Sequence, residues 1–190
     1  MEKTKNGITE GVIWKQLLLF FFPILIGTFF QQLYNTVDTI IVGQFVGSSA
    51  LAAVGATSSL SNLIIGFLMG LSNGFAIITA QRFGAKDLRG VKKSFAMSLT
   101  LGIAVAAGLT VLGLLFLQPI LRFLNVPENL RIMAGSYIVI IIAGLIATFL
   151  YDACAAALRA LGDTITPLVI LAISVILNIA GDLFFVVVLK

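Results

Sequence analysis

Histidine is absent from the chain, cysteine occurs once, and only 11% of the 190 residues are charged. Each scarcity closes off a class of chemistry. Without histidine there is neither the commonest metal ligand nor the usual proton carrier near neutral pH, so any proton chemistry falls to carboxylates. The single cysteine, Cys154, excludes an internal disulfide. Soluble domains carry roughly a quarter of their residues as charges. Here the charge is sparse, 59% of residues are hydrophobic and the mean hydropathy is +1.12, which together mark an integral membrane protein. A secretory leader would show one short apolar core ahead of a polar domain, whereas these apolar segments continue to the last residue.

Gaps between charged residues count the spans, because a hydrocarbon core about 30 Å thick takes about 20 residues of helix. Five spans are expected, over 16–42, 52–80, 94–117, 132–158 and 165–189, in an all-α helical bundle. The first turn is written GQFVGSSA, rich in Gly and Ser, and the second connection is the polar stretch RFGAKDLRGVKK. QPILRFLNVPENLR, with Pro119 and Pro127, follows the third span, and RALGDTITP closes the fourth. Lys3, Lys5 and Lys15 precede span one, five Lys or Arg lie between spans two and three, and Arg159 follows span four. The opposite side carries Arg122, Arg131 and Lys190. The positive-inside rule then makes the N-terminus cytoplasmic. An apolar run that reaches Lys190 with no polar tail reads as a chain cut within a longer protein.

Two carboxylates stand inside apolar segments, Asp38 late in span one and Asp182 late in span five. An aspartate at the centre of a membrane helix costs roughly 2.5 to 3.5 kcal/mol, and less near the interface. At about 1.5 Å per residue both fall in the outer half. Tyr34 precedes Asp38 by four residues and Asn178 precedes Asp182 by four, so each pair shares one helix face. If those faces meet, they make a nest of two carboxylates, an amide and a phenol. Such a nest suits a proton or a sodium ion, a hard cation that takes oxygen ligands. The alternative is that Asp38 faces interfacial water, or that Asp182 caps a helix junction.

Other features read more simply. Pro23 removes a backbone hydrogen bond within span one and predicts a kink, either a hinge or a static bend. Gly66, Gly70 and Gly74 recur every fourth residue and predict close helix packing. Asp152, in span four, is placed to pair with Arg159 or to serve transport. GAKDLRG lacks the preceding strand and the spacing of a phosphate loop. Its basic residues serve as topology signals and as contacts to anionic lipid headgroups. No nucleophile cluster, metal-ligand set or phosphate site points to an enzyme, and no nucleic-acid partner is expected.

Pro23, FFQQLYNTVDTIIVGQFVGSSALAAVG, GLSNGFAIITAQRFGAKD, LRALGDTITP and NIAGDLFF, in that order and over nearly the whole chain, resemble the N-terminal lobe of bacterial MATE (multidrug and toxic compound extrusion) transporters. The resemblance implies a twelve-helix antiporter of two six-helix lobes in the cell's inner membrane. Such a protein exports amphipathic or cationic small molecules in exchange for protons or sodium, with no cofactor beyond the coupling ion. It implies a cation- or proton-binding network at Asp38, Asn178, Asp182 and Tyr34, with sodium, if used, held by Asp38, Asn178 and Asp182, and a hinge at Pro23. The fourth-helix amide of some relatives is not evident in DACAAALRA. The sixth helix and the C-terminal lobe are missing, which leaves the central cleft one wall. Two other readings are a flippase of lipid-linked oligosaccharides, which calls for basic cleft residues where these are acidic, and a truncated membrane subunit that does not transport.

Overall fold

The computed structural model describes residues 12–188, and among them the chain is helical with no strand. Lys3, Lys5, Lys190 and Leu189, the last residue of the fifth expected span, lie outside the described residues. Helix α1 (Ile13–Ile41) runs unbroken through Pro23 and continues as a wider π-helical turn over Val42–Val46. The chain then reverses at Gly47, whose φ of 110° lies in the region that favours glycine. The expected eight-residue turn therefore contracts to a single residue. Helix α2 (Ser48–Gly84) and helix α3 (Leu88–Leu115) are separated by Ala85, Lys86 and Asp87 alone. The stretch Arg82 to Lys93, expected as a polar loop, is mostly helix. Arg, Lys and Leu are good helix formers, and Asp87 caps α3 by accepting a 2.8 Å hydrogen bond from the Gly90 backbone N–H.

Past Phe116, the short helix α4 (Leu117–Phe123) holds Pro119 in its first turn, where the missing N–H has no intrahelical partner to lose. Helix α5 (Glu128–Ala143) and helix α6 (Leu145–Ala160) meet at Gly144 with a bend of 46°. The fourth expected span is thus a bent pair rather than one straight rod. The Thr110 hydroxyl of α3 lies 3.1 Å from the Ile142 carbonyl at this bend, and 2.9 Å from the Ala106 carbonyl of its own helix. Helix α7 (Ile165–Asp182) follows a turn at Gly162 and, like α1, passes into a π-helical segment, Leu183–Val188. Four helices are long and apolar enough to cross a membrane, and five spans result when the bent pair is taken as one.

In lipid, apolar side chains gain nothing by leaving the solvent, so helix association depends on close packing of small surfaces. The core is built that way. Helices α2, α3, α5 and α6 pack on one another around Leu68, Ala106, Ile138, Ile142, Leu145, Phe149 and Ala153. The Phe149 ring fills the space a Cβ at Gly102 would need, and Ile142 lies against Gly113. By contrast, Gly66, Gly70 and Gly74 have no described neighbour within 4 Å of a Cβ position, so the predicted packing stripe faces open space. α2 buries its other face, through Ala53, Thr57, Ser61, Leu68, Ser72 and Thr79. Helices α1 and α7 form a separate pair, packed along each other and joined to the core mainly through the π-helical turn Val42–Val46 and through α6.

The Gly102 contact gives a direct test. Gly102→Ala should destabilise the protein by about 1–3 kcal/mol through overpacking against a fully buried ring. Gly108→Ala, on the same helix with nothing within 4 Å, should leave the melting temperature in detergent unchanged or raised. Equal melting of the two variants would show that Phe149 and Gly102 do not set the packing.

Candidate functional site: an acid pair between two helices

The α1–α7 pairing brings Asp38 and Asp182 together. Their carboxyl groups lie near each other and interact across the pair. Tyr34, one turn before Asp38, lies within electrostatic range of both acids and of Tyr137 on α5. Tyr137 in turn lies within electrostatic range of Asp38. Asn178 stands one turn before Asp182 on α7, and both residues are half-buried. The four residues singled out from the sequence therefore belong to one cluster, and α5 adds a fifth. Tyr137 was missed because nothing in GSYIVI distinguishes a cluster phenol from an interfacial one; its partner lies about a hundred residues away on another helix.

The electrostatics of the cluster are one-sided. Among the described residues, the ion pairs are Arg82 with Asp87 and Arg131 with Glu128, so no basic side chain pairs with Asp38 or Asp182. Two acceptor atoms, Asn178 Oδ1 and Asp182 Oδ2, are buried and receive no hydrogen bond. A buried acceptor without a donor is costly, and here two acids stand side by side with no basic partner among the described residues. Among the described residues no three His, Cys, Asp or Glu side chains gather, so a cation here would rely on amide and phenol oxygens beside the two carboxylates.

Both acids stand at a change of helical winding. The Val42 backbone N–H is shared between the carbonyls of Asp38 and Thr39 where α1 widens, and Asp182 is the last residue of α7 before its own π-helical segment. The two widened segments pack against each other. Such turns recur at functional sites because they displace side chains from the regular helical register.

A second polar region occupies the opposite half of the bundle. A cavity of about 330 Å³ is bounded by Thr28 and Gln31 of α1, Asn73 of α2, and Tyr151, Asp152 and Arg159 of α6. Asp152 is only 9% exposed. Arg159 acts on it electrostatically, yet the two form no ion pair within 4 Å, so the pairing expected from the sequence is a long-range one across the cavity. An adjoining cavity of about 540 Å³ shares Ile24, Asn73 and Arg159 and is lined by Gln16 near the start of α1, Phe83 near the end of α2, and Gly162. These three positions place the start of α1, the end of α2 and the α6–α7 turn on one side of the bundle. Pro23 borders the same turn, near Asp163 and Thr164.

This is a polytopic α-helical membrane protein with an acid pair held between its first and last described helices. Known proteins specify it further: the MatE family profile matches residues 23–184, and the chain belongs to that family. It is 32% identical over 170 residues to the probable multidrug resistance protein YpnP of Bacillus subtilis, covering 90% of this chain and 38% of that protein. With the FAD transporter of Shewanella oneidensis the identity is 26% over 180 residues, covering 95% of this chain and 40% of that one. Its fold matches a solved outward-facing multidrug resistance MATE family transporter with a TM-score of 0.91 at 28% identity, over 100% of this chain and 42% of that one. The chain spans about two fifths of the length of these relatives.

Helix α7 carries Asn178 and Asp182, two of the five cluster residues, and its start is fixed by Asp163. Asp163 Oδ1 accepts the backbone N–H groups of Ile165 and Thr166 at 3.1 and 2.9 Å, and Oδ2 accepts the Thr166 hydroxyl at 2.6 Å. These bonds, led by the Thr166 hydroxyl, hold the Asp163 carboxyl below its ordinary pKa. A lowered folded-state pKa contributes stability above the unfolded value, and that contribution is lost as pH falls through the folded one. Asp163→Ala should therefore cost roughly 0.5–2 kcal/mol at pH 7. Its melting temperature should approach that of the unsubstituted protein as pH falls below about 4. A gap between the two that persists undiminished into acid would remove the carboxylate cap as its cause.

Proposed function

We propose that this chain forms the N-terminal lobe of a secondary antiporter that exports amphipathic or cationic small molecules in exchange for protons or sodium ions. The observation that carries the reading is the contact between Asp38 and Asp182 without any basic partner. A site that is short of positive charge takes a coupling cation from one side and must release it at the other for the cycle to turn. Asp38 and Asp182 hold the charge, Asn178 and Tyr34 supply neutral oxygen donors, and Tyr137 closes the cluster from α5. Sodium, if it is the coupling ion, takes the unsatisfied oxygens of Asn178 and Asp182 together with Asp38. Pro23 serves as the hinge in this scheme: it frees a carbonyl in α1, the helix with the least anchorage to the core. A second lobe supplies the other wall of the cleft, and the activity is transport, with no cofactor.

The protein sits in the inner membrane with its N-terminus in the cytoplasm. Supporting this, the start of α1, the end of α2 and the α6–α7 turn lie on one side, together with Lys15, Arg82, Lys86, Arg89, Lys92, Lys93 and Arg159. A membrane-impermeant thiol reagent applied to intact cells should not label Ala85→Cys, which sits in the exposed α2–α3 turn, in a background lacking Cys154. Efficient labelling from outside would reverse the orientation.

The functional test uses the complete transporter that carries this lobe. Asp38→Asn keeps size and polarity but removes the exchangeable charge. The variant should reach the membrane at normal levels and lose gradient-driven efflux of a fluorescent organic cation, by roughly tenfold or more if the acid is essential to coupling. Undiminished efflux at matched expression would return Asp38 to a structural role facing interfacial water.

A further inference from the structure

We infer that the groove between the basic-side ends of α2 and α3 is a binding site for an anionic phospholipid. The groove encloses about 620 Å³ and changes character with depth. Arg82, Arg89 and Lys93 border its mouth, whereas Ile78, Met97 and Leu101 line it further along the helices.

The charges at the mouth are arranged against the preference of the helix that bears them. Arg89 and Lys93 occupy the first two turns of α3, where the positive end of the helix dipole disfavours cations. They are four residues apart and share one face. Asp87, the acid nearest to them, is committed elsewhere: one carboxylate oxygen caps Gly90 and the other pairs with Arg82 at 3.4 Å. Neither Arg89 nor Lys93 has an ion-pair partner among the described residues. Three cations and a helix N-terminus thus face one engaged carboxylate, and an anion placed there relieves the repulsion. Gly90 lets the Asp87 carboxylate and the Arg82 stem pack against the start of α3, since a Cβ at that position would overlap the carboxylate and crowd the stem.

The lower wall decides what kind of anion fits. From Lys93 to Leu101 the groove descends about 12 Å along α3, most of the roughly 15 Å thickness of one hydrocarbon leaflet. Ile78, Met97 and Leu101 are about half exposed along it. A free phosphate would satisfy the mouth and leave this apolar channel empty, whereas a phosphate carrying an acyl chain satisfies both. Basic recesses between membrane helices on the cytoplasmic side recognise lipid headgroups by this combination.

The inference stands apart from the transport reading, because its test measures binding alone. The purified full-length transporter is delipidated, titrated with phosphatidylglycerol or phosphatidylcholine, and read by native mass spectrometry, with inorganic phosphate as competitor. The unsubstituted protein should retain phosphatidylglycerol in preference to phosphatidylcholine. The double variant Arg89→Gln, Lys93→Gln should lose that preference by about thirtyfold, for two neutralised surface charges. Met97→Trp, which fills the channel and keeps the charges, should weaken both lipids. Lys86→Gln neutralises a neighbouring cation outside the groove and should change nothing. Equal retention of the two lipids, an equal loss in Lys86→Gln, or full retention in Met97→Trp would each overturn the inference. So would displacement of the lipid by millimolar phosphate, which would assign the site to the free anion.

Discussion

Phe149 reaches the centre of the bundle only because residue 102 of the facing helix has no side chain, and the rest of the lobe is arranged around that contact. Lipid offers no hydrophobic reward for bringing helices together, so their association rests on how closely their surfaces fit. Gly102 and Gly113 admit the bulk of Phe149 and Ile142, and both large residues come from the bent α5–α6 pair. The bend carries the pair from one glycine to the other. Thr110 then offers its hydroxyl to the Ile142 carbonyl, next to the break at Gly144. Backbone polarity inside a membrane needs an internal partner of this kind.

The rigid four-helix core leaves α1 and α7 as a less anchored pair, and the acids sit where that pair is held by its own contacts. Asp38 and Asp182 are on different helices but move together if the pair moves. Under the proposed antiport, a cation held between them would fasten α1 to α7 and its release would loosen that pair. The widened turns that follow each acid lie against each other, so such a change would be felt first at that end of the bundle.

Much of the cluster was legible because helical spacing is local. Tyr34 with Asp38, and Asn178 with Asp182, are each one turn apart, so a shared face follows from sequence alone. That the two faces meet was an inference from the cost of isolated acids in lipid, and the α1–α7 contact agrees with it. Tyr137 was not legible, because its role depends on where a distant helix crosses. The glycine stripe at Gly66, Gly70 and Gly74 misled for a related reason. Spacing shows that a face is small, but not whether a neighbour comes to it, and the closely packed glycines proved to be Gly102 and Gly113. Span boundaries drifted where short caps replaced expected loops: Asp87 lets α3 begin among its basic residues, and Gly47 alone turns the chain.

The lobe contains two kinds of buried charge, and they differ in what they need. At the end of the bundle near the start of α1, Asp152 and Arg159 have opposite signs and border one polar cavity. Water and the neighbouring amides of Gln31 and Asn73 can hold them apart, and no ion need enter to balance them. At the other end, Asp38 and Asp182 have the same sign and only phenols and an amide for company. A protein selected only for stability would remove one of these acids, because an amide or apolar residue of similar size relieves both the repulsion and the desolvation cost. Keeping both acids side by side therefore sets this cluster apart from the Asp152–Arg159 region, where charges of opposite sign border one cavity.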